Sequence, residues 1–152
     1  MAKTNELEIF SEDIKKLVRE MPGETQQIIG EATSSMEGAV RRKYADLTGE
    51  VTGNLVKDIS SDVRRTAADR VVGMVKNPAP HVALVEFGTN ERQAKEKKVL
   101  YDKETDTFFG RQVAPMPELA PMRKAYDENE QRVYGRAAEQ VFNAMEKRLR
   151  GR

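Results

Sequence analysis

Val85-Glu86-Phe87-Gly88-Thr89 places a carboxylate between two apolar residues and follows them at once with glycine. A buried element therefore stops where the backbone can take a positive φ. On its own the stretch reads as a helix or strand end closed by Gly88. With Pro80 before it and Gly88 after it, His81 to Phe87 fits one or two helical turns. Phe87 is expected to anchor the core, Gly88 to turn the chain, and Glu86 to hold a buried hydrogen bond or ion pair, since a lone carboxylate among apolar neighbours is usually paired.

Upstream, two helical periods precede this corner. Leu7, Phe10, Ile14, Leu17, Val18 and Met21 recur at helical spacing, and Pro22-Gly23 stops that helix near Glu20. Ile28, Ala32, Met36, Val40 and Tyr44 form a second stripe, interrupted by Gly30 and Gly38, which are expected to permit close helix packing. Thr48-Gly49 and Thr52-Gly53 make the first clear break. Thr52 or Asn54 then caps a short turn pointing Leu55 and Ile59 inward, closed by Ser60, Ser61 and Asp62. Val63 to Lys76 reads as a hairpin turning at Ala67-Ala68-Asp69, and Asn77-Pro78-Ala79-Pro80 ends it.

Downstream, Asn90 to Lys98 is polar and reads as a solvated loop. Val99 to Tyr101 and Thr107 to Phe109 suggest a second hairpin, whose Tyr101, Phe108 and Phe109 suit contact with another subunit. Pro117 and Pro121 lead into a last helix, over about 118–150, with the stripe Met122, Tyr126, Val133, Ala137, Val141, Met145 and Leu149. At ~1.5 Å per residue such a helix spans more than 40 Å, about the diameter of a domain of this size. Met145 and Leu149 are thus left partly uncovered in a monomer, and self-association is expected.

The 152 residues match one domain, 1–152, with no linker composition, and the expected class is α+β: N-terminal helices and a long C-terminal helix packed on a small antiparallel β-sheet. Lys and Arg number 26 against 25 Asp and Glu, without the basic excess of a dedicated nucleic-acid binder. There is no cysteine and one histidine, which removes thiolate chemistry and common metal-ligand spacings. No nucleophile elbow or phosphate-cradling loop is present, so no catalytic, cofactor or metal residue is expected, and the chain reads as a non-enzyme. The N-terminus lacks the signal-peptide pattern and no apolar run spans a bilayer, which reads as a soluble protein made in a cytoplasm, with no membrane partner.

The order of these features is a resemblance. Helices, then Thr52-Gly53-Asn54-Leu55 with Ile59, a short β region, Val85-Glu86-Phe87-Gly88-Thr89, a charged loop and the pair Pro117 and Pro121 entering a long helix together resemble the HK-ninety-seven gp-ten-like tail-component family of tailed bacteriophages. The match covers roughly residues 10 to 150. It implies a tail-completion or head-to-tail joining protein of the virion, forming a ring, commonly hexameric, with tail-tube and head-connector proteins as partners and DNA only passing through. Gly53, Leu55, Glu86, Phe87, Gly88, Thr89, Pro117 and Pro121 would then be structural, and the loop over about 90–112 would face a neighbour. Glu118 and His81 stand where the family carries aromatics. A different class, a nucleic-acid-binding accessory protein, would use Lys95, Lys97, Lys98 and the C-terminal arginines.

Overall fold

A computed structural model describes residues 12–49, 54–93, 100–102, 107–110 and 112–151. For 54, 92–93, 100–102, 107–110 and 112–113 it describes the backbone alone. The expectations for Leu7, Phe10, Thr52, Gly53, Lys95, Lys97, Lys98 and Val99 lie outside these residues, as do those for the side chains of Tyr101, Phe108 and Phe109.

Helix α1 covers residues 12–20, and helix α2 follows as Pro22–Thr48, entered through Pro22 at its first turn. Gly49, at φ 70°, closes α2 and donates its N–H to the Ala45 carbonyl. Helix α3, Asn54–Lys57, is one turn. Strands β1 (Ser60–Ala67) and β2 (Arg70–Lys76) pair antiparallel, Ser60 opposite Lys76 and Val63 opposite Gly73, around the turn expected at Ala67 to Asp69. Ser60 to Asp62, expected to close the preceding turn, instead start β1, because Ser61 Oγ reaches back to Glu37 on α2 and fixes the strand there.

Helix α4 is Val82–Phe87. Beyond it, β3 (Arg92–Gln93) pairs with β6 (Gln112–Val113), and β4 (Leu100–Asp102) pairs with β5 (Thr107–Gly110). The expected second hairpin is present. The polar stretch from Asn90 is not loop throughout, since Arg92 and Gln93 find backbone partners in β6. Helix α5, Pro121–Arg150, completes the α+β fold, and among the described residues the strands form three separate two-stranded ladders.

Helix α2 is the centre of the molecule. Its hairpin side meets β1 and β2, and its opposite side meets α5, which runs antiparallel to it: Glu31 accepts from Gln140 at 2.6 Å, while Lys43 pairs with Glu128 at 2.5 Å. Burial therefore exceeds one stripe, taking in Thr25, Thr33 and Ala39 besides Ile28, Met36, Val40 and Tyr44. The two buried threonines satisfy their hydroxyls on their own helix, Thr25 on Met21 O and Thr33 on Ile29 O. The close approach falls on Gly73 rather than on Gly30 or Gly38. A Cβ on Gly73 would run into Thr33 Oγ1, whereas one on Gly30 would meet nothing within 4 Å and one on Gly38 only the end of Arg42. Hairpin and helix touch closely there, while the α2–α5 seam opens into a polar groove at Gly30.

Candidate functional site

The corner at residues 85–89 is built by four different chemical devices that all grip the chain entering α5. Val85, buried, offers its carbonyl to both Leu119 N–H (3.1 Å) and Ala120 N–H (3.3 Å). Glu86 Oε1 accepts from Met122 N–H at 2.8 Å and from the Tyr44 hydroxyl at 2.6 Å. It thereby caps the first turn of α5, which the side chain of Ala120 cannot do. Thr89 exchanges two backbone hydrogen bonds with Met116, at 2.9 and 3.0 Å, and its hydroxyl also accepts from Met116 N–H.

Gly88 makes this approach possible. Its φ of 69° and ψ of −176° lie in a region that glycine alone enters readily. A Cβ there would sit 2.5 Å from Met116 O and 2.8 Å from Glu118 N. Opposite it, Ala120 takes φ 46°, a left-handed conformation that costs a non-glycine residue free energy and is sustained by the hydrogen bonds around it.

Tyr44 is fully enclosed. Burial, with the Glu86 carboxylate beside it, pushes its hydroxyl well above the ordinary phenol range, so it stays protonated and donates. Glu86 is thus the hydrogen-bonded carboxylate that its apolar neighbours imply, with a tyrosine and a backbone amide as the partners.

Phe87 does not anchor the core. It is 75% exposed. On a six-residue helix the inward positions are Val82, Val85 and Glu86, spaced three and four apart, and Phe87 falls on the solvent side. Val85 takes the anchoring role. Because Gly88 N–H returns to Leu84 O at 2.9 Å, the backbone under Phe87 is fixed and the ring is presented outward from a rigid corner.

The remaining expected residues scatter. Leu55 is half-buried, and its carbonyl accepts from Asn77 Nδ2 at 2.8 Å, tying α3 to the chain after β2. Pro121 is buried and Pro117 exposed. Met145 is half-buried against α1, and Leu149 is 71% exposed. Tyr126, expected on the inward stripe, is exposed because its neighbour Ala125 occupies the buried position. The C-terminal cations have acidic neighbours, Arg148 with Glu20 and Arg150 with Glu146.

Arg41 escaped the sequence reading. Its guanidinium donates to Val56 O, Ile59 O and Glu37, so one side chain ties α3 and the start of β1 to α2. Glu37 also accepts from Ser61 Oγ at 2.5 Å; that hydrogen bond, with Arg41 beside it, holds the carboxyl below its usual range. The sequence offers one signal, Glu37 and Arg41 four apart on a helix, and such pairs are too common to single one out.

Among the described residues, no helix is long and apolar enough to cross a membrane, and no group of histidine or carboxylate side chains is arranged to hold a metal ion. No family model, curated protein or solved structure matches the chain. The fold and the corner define an α+β protein in which a locked turn displays an aromatic side chain beside short paired strands.

Proposed function

We propose that the chain is a structural component of a tailed-phage virion, forming an oligomeric ring, of six copies as the family expectation, that completes the tail and joins it to the head without catalysis. The supporting sequence feature is the ordered set of motifs that resembles the tail-component family. The observation that carries the reading is Phe87, an aromatic 75% exposed on a backbone held by hydrogen bonds on both sides. An aromatic on a pre-ordered backbone loses little backbone freedom on docking, a property that suits an interface anchor. The Thr89–Met116 bridge and the β3–β6 ladder pair the backbone that follows Phe87 with the chain leading into α5.

Phe87→Glu tests this reading. Since the ring is exposed, the variant is expected to fold with stability within about 0.5 kcal/mol of the parent. Electron microscopy of particles assembled with it is expected to show heads and tails that remain unjoined. Normal tailed virions formed in the complete absence of the protein would overturn the proposal.

A further inference from the structure

Helices α2 and α5 part midway along their seam. There Gly30 and Ala32 of α2 lie across from Ala137 of α5, and residues this small leave an open groove of about 710 Å3, within the size range of small-molecule sites. Two cations stand on its α5 wall. Arg132 and Arg136 are one helical turn apart, so their side chains leave the same side of the helix. Of the five arginines on α5, Arg123, Arg148 and Arg150 each have a carboxylate partner, whereas among the described residues Arg132 and Arg136 have none within ion-pair distance. Neutral groups hold Arg132 instead. It donates to Asn129 Oδ1 at 3.0 Å and, across the seam, to Ser35 Oγ at 3.4 Å, and Asn129 is itself fixed to the Ala125 carbonyl at 2.8 Å. These bonds orient the guanidinium over the groove and leave its charge unneutralised, while Ser34 and Ser35 line the α2 wall with hydroxyl groups. We propose that this groove binds a small phosphorylated molecule, its phosphate held between Arg132, Arg136 and the two serines.

Phosphate suits this wall because a guanidinium fork and a phosphate share planar, two-point hydrogen-bonding geometry, and such charge-assisted bonds are the strong ones. The rest of the ligand is set by Glu31, which lines the same groove. Its carboxylate accepts from Gln140 at 2.6 Å and from Gln27 at 3.3 Å, and these hydrogen bonds, with Arg136 at longer range, hold the carboxyl below its usual range. A carboxylate there accepts from hydroxyl or amino groups and repels a second phosphate. The groove therefore matches one phosphate monoester carried on a hydroxyl-rich group such as a sugar. It disfavours a nucleic-acid backbone, in which phosphates recur along the strand. The site lies on the α2–α5 seam and uses none of the corner residues, so it goes beyond the virion reading and stands or falls separately from it.

Ribose phosphate and inorganic phosphate are the probes, titrated into the isotope-labelled full-length protein at fixed ionic strength and followed by backbone-amide and arginine side-chain resonances. Ribose phosphate is expected to give saturable shifts at Gly30, Ser34, Ser35, Arg132 and Arg136, and to bind about tenfold more tightly than inorganic phosphate through its added hydroxyl contacts. The double variant Arg132→Gln, Arg136→Gln is expected to weaken ribose phosphate about a hundredfold, roughly tenfold for each charge-assisted contact, with unchanged circular dichroism. Arg123→Gln, which removes a paired surface cation elsewhere on α5, is the control and is expected to leave binding unchanged. Glu31→Gln is expected to narrow the preference for ribose phosphate over inorganic phosphate. Shifts that fail to saturate, or that persist at full size in the folded double variant, overturn the proposal. So does a single-stranded oligonucleotide that binds more tightly than ribose phosphate and loses affinity steeply with salt, which would make the groove a nucleic-acid surface.

Discussion

Gly88 carries more of the fold than its size suggests. Its left-handed φ and the three backbone atoms of residues 116–118 within about 3 Å of a Cβ position act together. Gly88→Val meets both the steric clash and the forbidden conformation, and is expected to cost about 4 kcal/mol or more, a large share of a small domain's stability. Urea unfolding should show this as a collapse of the midpoint, or as failure to obtain soluble protein. Gly23→Ala is the contrasting case, with open space and no positive φ, and is expected to be near neutral. The stop at Gly88 was legible in the sequence because a glycine after an apolar run has few other uses. The exposure of Phe87 was not, since side-chain direction on a single helical turn depends on which neighbour is pinned, and the pins are Leu119, Ala120 and Met122, more than thirty residues away.

Helix boundaries were the most readable features, because proline and glycine act through local sterics: Pro22, Pro121, Gly49 and Gly151 stand at the ends of α2 and α5. What holds one helix to another was far less readable. The start of α5 is held by a carboxylate from α4, and that carboxylate is shared with Tyr44 of α2, so three elements meet at one oxygen atom. Glu86→Ala removes both hydrogen bonds and the cap, and is expected to cost about 2–3 kcal/mol. Glu86→Gln keeps an acceptor oxygen in place and is expected to stay within about 1 kcal/mol of the parent. Equal losses in the two variants, measured by urea unfolding, would show that the negative charge matters rather than the acceptor.

Across the whole molecule, α2 is clasped between the hairpin and α5, and the Glu37–Arg41–Ser61 cluster fastens the hairpin side. The folded-state pKa of Glu37 is depressed, so its contribution to stability is fully present above the ordinary glutamate value of 4.5 and is lost as pH falls through the depressed value. Thermal midpoints measured from neutral pH downward are expected to fall in that acid window, and Glu37→Gln is expected to flatten the fall while lowering the midpoint at neutral pH. The α+β class and element order were legible because each periodic run is local. The division of the strands into separate ladders was not, since strand partners are chosen by tertiary placement rather than by alternation within one run.

The position of α2 also governs how the chain folds as it is made. Tyr44 and Ala125, both enclosed in the finished core, are separated in sequence by every described strand and by the whole corner. At ~5–20 residues per second, synthesis separates them by roughly 4–16 s. During that interval the α5-facing side of α2 has no native cover, and the contacts that finally close it are of long sequence separation, the slow kind. Transient exposure of the α5-facing side of α2 during synthesis follows from this geometry, even for a protein in which 34% of the residues are charged.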